Sequence, residues 1–162
     1  MNRSALSALV TAAMVAFLGT NSAHAADAVA TVDKKATLPV VVAQPTTERS
    51  GANVLVVETA GVEGNTNKVP LSGAVALKVN SGDTEQRIDL GHFFLFGSQP
   101  GTPESYAFNL DSNPQVTGPV LQALKAGKAE AEVTITPADQ DKGKAASVRL
   151  PINASYVELP SK

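Results

Sequence analysis

Histidine and cysteine, the side chains that most often serve as nucleophiles, bases or metal ligands, are almost missing from this sequence. Its 162 residues include no cysteine and two histidines, His24 and His92. A tetrahedral zinc site takes about four ligands, drawn mainly from Cys and His. The carboxylates of Asp83, Glu85 and Asp89 lack ligand spacing and do not make up the difference. We therefore predict no metal, no cofactor and no catalytic residue, which means that the protein is not an enzyme.

Two weaker chemical patterns lead to the same expectation. A serine–histidine–acid triad would have to use His92, and no Gly-x-Ser-x-Gly turn accompanies it. Residues 139–143 (DQDKG) look partly like a calcium loop, but they lack the third alternating oxygen ligand and the closing glutamate. We interpret them as the solvated tip of a hairpin. His92 itself is expected to be either a half-buried strand histidine or an exposed residue beside Gly91.

The aromatic residues are unusual in their distribution. Only 4% of the chain is aromatic, yet three of its five phenylalanines are Phe93, Phe94 and Phe96. One interpretation places them on both faces of a central strand, within the core. The other leaves one face exposed, where contiguous apolar surface contacts a partner. The candidate partner-contact residues are therefore His92, Phe93, Phe94 and Phe96.

The first 25 residues have the pattern of a cleavable export signal. A short polar start with Arg3 precedes an uncharged apolar run of about 14 residues, which is shorter than the roughly 20 needed to span a bilayer. Small residues at Ala23 and Ala25 fit signal peptidase, which predicts cleavage before Ala26. We expect a periplasmic or secreted protein with a Sec-type signal, and the lack of cysteine in an exported domain favours a bacterial source.

Composition then limits the class of partner. Removal of residues 1–25 leaves 137 residues, the size of one domain, with 12 Lys and Arg against 15 Asp and Glu and a net charge of −3. This mild and evenly spread charge argues against nucleic acid and against insertion into a membrane after cleavage. The expected partner is another protein.

The pattern of the elements predicts an all-β protein. Residues 26–50 are interpreted as a flexible segment, with an edge strand at 38–42, and residues 51–162 as the domain. The apolar run 53–58 predicts a strand buried on both faces, and Gly91 indicates a bulge within 86–97. Pro151 predicts a break or an edge position.

About seven short strands and one short helix at 119–125 predict a β-sandwich or Greek-key barrel. The remaining predicted strands are 73–80, 105–110, 131–136, 147–150 and 152–159.

The order of these motifs resembles that of a known family. Residues 73–80 (GAVALKVN) lead to a strand ending in 93–97 (FFLFG), followed by 106–110 (YAFNL), a helix with 120–124 (VLQAL), 131–135 (AEVTI) and 154–159 (ASYVEL). This order is similar to the C-terminal β-sandwich domain of the type-3 copper proteins, the tyrosinases and polyphenol oxidases. The likeness covers about residues 53–159, and the helical copper-binding domain with its six histidines has no counterpart here.

The resemblance implies an accessory function. In that family the sandwich domain covers the copper pocket and assists folding of the catalytic part, so a separate copy would cover or assist a tyrosinase-like copper oxidase in trans. The alternative is a structural envelope, pilus or adhesin subunit that adds a strand through residues 38–42. A carbohydrate-binding module is disfavoured because the chain has no Trp and only Tyr106 and Tyr156 for stacking on sugars.

Overall fold

A computed structural model describes residues 28–43, 51–81, 84–95 and 99–158 of the chain. The predicted signal peptide and Phe96 lie outside the described residues. Those that are described form nine strands, one α-helix and one 3-10 helix. The strands are β1 (Ala28–Thr31), β2 (Ala36–Pro39), β3 (Val41–Val42), β4 (Asn53–Thr59), β5 (Leu71–Ser81), β6 (Thr84–Leu95), β7 (Glu104–Asn109), β8 (Ala129–Pro137) and β9 (Arg149–Glu158); α1 is Gly118–Lys125, and the 3-10 helix is Asp139–Ala145.

The strands form two packed sheets, so the predicted all-β sandwich is confirmed. One sheet has the order β1-β9-β4-β7, with β3 beside β9, and we call it the five-stranded sheet. The four-stranded sheet has the order β2-β8-β5-β6. All pairings are antiparallel except that of β3 with β9. The inward side chains of both sheets form a single core cluster.

The N-terminal strands link the two sheets at one side of the sandwich. β1 and β3 pair with β9 of the five-stranded sheet, whereas β2, which lies between them in sequence, pairs with β8 of the four-stranded sheet. Leu38 and Val40 are 1% and 3% exposed and belong to the core. The expected edge strand at 38–42 is therefore divided at Val40 between the two sheets.

The prediction that β4 is buried on both faces is confirmed only in part, because on its outer face Val56 is half-buried and Glu58 is exposed. Leu55 and Val57 are fully buried in the core. Val54 is 7% exposed but is not part of the core cluster, which places it on the opposite face of the strand. β4 lies between β9 and β7, so its backbone is paired along both sides.

The prediction of a break or an edge position at Pro151 is wrong, because β9 runs without interruption from Arg149 to Glu158 and lies between β1 and β4. The Pro151 carbonyl accepts a hydrogen bond from the Ala60 N–H, just beyond the end of β4. Proline has no N–H to donate in return. The Ala60 carbonyl accepts the Gly101 N–H at 2.9 Å instead.

The predicted short helix is confirmed as α1. Val120 and Leu124 lie in the core, at the four-residue spacing that puts two side chains on one helix face. Gly127 follows with φ +67° and donates its N–H to the Leu124 carbonyl at 3.0 Å, which is a glycine-type helix end. None of the helices formed by the described residues is long and apolar enough to cross a bilayer.

Candidate interaction surface on the four-stranded sheet

A β-bulge in β6 decides which of the candidate contact residues reach the surface. Ile88 points into the core, and simple alternation from it would also bury His92 and Phe94. The pairing of β5 with β6 shifts register between Val75 and Ala76, opposite Gly91, whose φ is +138°. The extra residue reverses the alternation, so His92 and Phe94 face solvent instead. The predicted bulge is confirmed.

Phe93 is an interior residue, only 4% exposed. Its ring lies over Gly73, where an added Cβ would come within 2.1 Å of the ring carbon Cζ. The centroid of the Tyr106 ring lies 4.4 Å from that of the Phe93 ring, and the two ring planes are inclined by 35°. Phe93 therefore contacts core residues and holds β6 against β7. For Phe93, the structure therefore agrees with the interpretation that places the phenylalanines in the core.

Tyr106 also connects β7 to the exposed part of β6. Its hydroxyl lies 2.7 Å from Glu104 Oε2, to which it donates a hydrogen bond, and 3.3 Å from the Phe94 carbonyl oxygen. Burial, followed by the adjacent Glu104 carboxylate, raises the pKa of Tyr106 well above its ordinary value. The phenol therefore stays protonated at neutral pH and donates its single proton to Glu104, the nearer of the two acceptors.

Phe94 carries the exposed part of the cluster. It is 59% exposed and is the one large hydrophobic side chain with this exposure among the described residues. Ser72 is directly opposite on β5, and Thr136 lies beyond it on β8. In the next row His92 is opposite Ala74, which pairs with Thr134. We call this set the Phe94 surface: Ser72, Ala74, His92, Phe94, Thr134 and Thr136.

The other half of the same sheet face is charged. Glu132 of β8 has a side chain only 6% exposed, and it accepts hydrogen bonds from Lys35 Nζ at 2.7 Å and Arg87 Nε at 3.1 Å. These cations, with the hydrogen bond from Lys35 as the largest cause, hold the pKa of Glu132 below its ordinary value. Sequence reasoning missed this cluster, because its three members come from distant parts of the chain.

A cleft opens at the end of the sandwich next to Leu95. Its volume is about 550 Å³, and it lies between the loops 61–70 and 99–103. The Asn65 side chain shapes the first loop: its Nδ2 donates to the Val69 carbonyl, and its Oδ1 accepts the Val69 N–H, both at 2.9 Å. Val62, Val69 and Leu95 supply apolar lining, and Lys68 supplies a cation.

The carboxylates that were considered as ligands pair with cations instead. Glu85 lies 2.9 Å from Lys78 Nζ, and Asp89 pairs with Arg87. Within residues 28–43, 51–81, 84–95 and 99–158, no group of three or more His, Cys, Asp or Glu side chains could hold a metal ion. Asp83 lies outside the described residues.

The segment 139–143, predicted as a solvated hairpin tip, lies within the 3-10 helix. Its two aspartates form ion pairs with lysines three residues further on. Asp139 pairs with Lys142 and Asp141 with Lys144, each at 2.8 Å.

No protein-family model matches this chain, and no curated protein matches it. Solved structures of latent aurone synthase align with it. These neighbours are latent polyphenol oxidases. The recombinantly expressed form, co-crystallized with hexatungstotellurate(VI) and soaked in H2O2, is 14% identical with a TM-score of 0.43, over 82% of this chain and 26% of the neighbour. The form from natural source is 14% identical with a TM-score of 0.41, over 80% and 25%.

This chain spans about a quarter of the length of either neighbour. Identity and TM-score at this level assign the chain to no family and transfer no activity to it.

Proposed function

We propose that this protein is an exported, non-enzymatic binding module that covers or assists a tyrosinase-like copper oxidase in trans. The observation that carries the proposal is the position of Phe94: a bulge places a 59% exposed phenylalanine on a sheet face whose other side chains are small, polar or charged. Exposed aromatic side chains surrounded by small polar residues are typical of the central contacts of protein interfaces. The order of motifs along residues 53–159 supports the choice of partner.

The Phe94 surface suits a rigid contact. The aromatic side chain is on a strand paired with β5, and the Ser72 hydroxyl opposite it donates to the Thr136 carbonyl at 3.2 Å. Little conformational entropy remains to be lost when such a surface is covered. Ser72 opposite it is small, and the 59% exposure of Phe94 makes it available to a pocket of the partner.

Co-expression with the copper-binding core of a tyrosinase-type oxidase tests the proposal. We expect the wild-type chain to change the copper content or the phenol-oxidising activity of the purified core, and Phe94→Asn to reduce that effect by about tenfold or more, since loss of a central aromatic contact costs about 2 kcal/mol. Thr37→Asn, on the same sheet face within the charged half, is the matched control and should behave as wild type. Identical copper content and activity with and without the chain would exclude this function.

A further inference from the structure

The cleft at the end of the sandwich next to Leu95 has an apolar floor. Val62, Val69 and Leu95 line it, belong to the core cluster and are at most 4% exposed. Pro70 and Pro100, which are exposed, add further apolar lining. Its volume of about 550 Å³ is within the range of about 300–1,000 Å³ that is typical of small-molecule sites. The cleft therefore offers the apolar part of a ligand a surface that core packing keeps rigid.

Lys68 is the one charged residue among the described residues that line this cleft. It is exposed, and no carboxylate in the described part of the chain pairs with its ammonium group. Its φ is +50°, and within residues 28–43, 51–81, 84–95 and 99–158 no other residue with a side chain has a positive φ. Such a conformation costs free energy and persists only where surrounding contacts hold it. The position of this lysine is therefore imposed by its loop.

Hydrogen bonds fix the loop 61–70 that carries Lys68. The Lys68 N–H donates to the Asn65 carbonyl at 3.1 Å, beside the two bonds made by the Asn65 side chain. The Asn67 side chain donates to the Lys144 carbonyl of the 3-10 helix at 3.0 Å. These bonds tie the loop to itself and to a neighbouring element. Little backbone entropy is therefore lost when a ligand reaches the cation.

We propose that this cleft binds a monocarboxylate with an apolar chain, of the size of a medium-chain fatty acid. The carboxylate pairs with the Lys68 ammonium group, and the apolar chain covers Val62, Val69 and Leu95. No Asp or Glu is among the described residues of the lining, so charge favours an anion over a cation. A sugar fits less well, because its hydroxyl groups would find no partners on the apolar floor.

The exposed part of the lining supplies further donors for the carboxylate. Thr66 and Gln99 line the cleft together with Lys68, and their side chains carry a hydroxyl and an amide. A carboxylate has two oxygens and accepts more than one hydrogen bond. The head of the ligand therefore faces the polar residues and its chain faces the core.

This site is separate from the Phe94 surface. Leu95 is buried and lines the cleft, whereas Phe94, its neighbour in β6, is exposed on the outer face of the sheet. Phe94→Asn should therefore leave binding of the carboxylate unchanged. The site does not depend on the proposed function, and either proposal can fail without the other.

A titration of the ¹⁵N-labelled mature protein with sodium octanoate, followed by NMR chemical shifts, tests the site. We expect saturable shifts centred on the amides of loops 61–70 and 99–103, with dissociation in about the millimolar range that is typical of a ligand of this size. Sodium acetate carries only the head of the ligand, and octanol carries only an uncharged counterpart with the same chain. Each should bind at least about tenfold more weakly than octanoate.

Substitution of Lys68 tests the role of the cation. Lys68→Asn removes the charge with a residue that tolerates the left-handed backbone, and we expect it to weaken octanoate binding by at least about tenfold. Lys34→Asn, at an exposed lysine outside the cleft, is the matched control and should bind as wild type. Lys68→Gln replaces Lys68→Asn if the spectrum of the latter shows an unfolded protein.

Four results would overturn the proposal. The first is the lack of saturable shifts with octanoate, or shifts that centre on another part of the molecule. The second is binding of acetate or octanol as tight as that of octanoate, since the cleft would then use only one half of the ligand. The third is unchanged affinity in a folded Lys68 variant, and the fourth is equal weakening by Lys34→Asn.

Discussion

Glu132 shows how a single buried carboxylate depends on partners that sequence reading does not bring together. Alternation along β8 places its side chain outward, between Ala131 and Val133 of the core. Lys35 precedes β2 and Arg87 is in β6, and both side chains fold over the carboxylate. The sequence shows these three residues, but only the strand order β2-β8-β5-β6 makes them neighbours. A single sequence does not specify that order.

The Glu132 cluster makes stability depend on pH in a defined direction. Because its pKa is lower in the folded state than its ordinary 4.5, the ion pairs stabilise the fold above that pH and their contribution is lost as pH falls through the folded-state pKa. We expect Glu132→Gln to reduce the free energy of unfolding by about 1–2 kcal/mol at pH 7, less than for a fully buried pair because Lys35 and Arg87 are half exposed.

Urea unfolding of wild type and Glu132→Gln at a series of pH values measures this difference. The two free energies should converge below pH 4.5. Glu130→Gln on the same strand serves as the control, with an expected change within about 0.5 kcal/mol. If the difference between wild type and Glu132→Gln stays constant down to the lowest pH measured, the stability lost in Glu132→Gln does not come from the ion pairs of Glu132.

At the scale of elements, alternation and turn residues predict most strands, and they do so because one face of each is buried. The apolar run of β4, the alternation of β5 and the spacing of α1 all agree with the structure. The errors come from contacts outside the element. Pro151 is accepted within β9 because it lies just beyond the last residue pair of β9 with β4, Thr59 and Ile152, where the missing N–H breaks no ladder hydrogen bond of that pair. The separation of β2 from β3 follows from pairing with two different sheets.

The bulge at Gly91 illustrates the same limit for the candidate surface. The glycine suggests a bulge, but the sequence does not show where the register of β6 against β5 shifts. The position of that shift determines whether Phe93 or Phe94 is exposed. Alternation from Ile88 would have buried Phe94 and exposed Phe93. The core position of Phe93 over Gly73 determines the outcome, and it is a contact between two strands.

Replacement of Gly91 tests the importance of this bulge. Its φ of +138° lies in a region that residues with a side chain rarely adopt, so Gly91→Ala should reduce the free energy of unfolding by about 1–3 kcal/mol. Urea unfolding measures the change. Gly143→Ala is the control: an added Cβ there meets nothing within 4 Å, and we expect a change within about 0.5 kcal/mol. If Gly91→Ala and Gly143→Ala unfold at the same urea concentration, the bulge accommodates a side chain without loss of stability and the prediction is wrong.

On the scale of the whole molecule, the sandwich has two outer faces of different character. The four-stranded sheet presents the charged cluster beside the Phe94 surface, and the five-stranded sheet presents the uncharged side chains of Val54, Val56 and Val157. The sequence contains both patterns as alternating residues on separate strands. Their division into two faces appears only when the strands are assigned to sheets, since β4 and β9 share one sheet and β5, β6 and β8 the other.

The N-terminal strands make the integrity of the whole sandwich depend on residues 28–42. Sequence reading places the domain in residues 51–162, whereas Ala30, Ala36, Leu38 and Val40 are 0–4% exposed and belong to the core. Full burial of a Val or Leu side chain contributes about 1.5–3 kcal/mol, and small domains have net stabilities of about 5–15 kcal/mol. We therefore expect a chain that begins at residue 51 to lose cooperative unfolding, while one that begins at residue 26 keeps it.

Far-UV circular dichroism during urea unfolding compares the two truncated chains. A synthetic peptide of residues 28–43 should restore a cooperative transition to the shorter chain, because β1 and β3 supply the missing edge of β9 and β2 supplies that of β8. The same peptide with Leu38→Asp should fail, since it would place a charge in the core. An unaided cooperative transition in the chain that begins at residue 51 would show that β4 to β9 fold without the N-terminal strands.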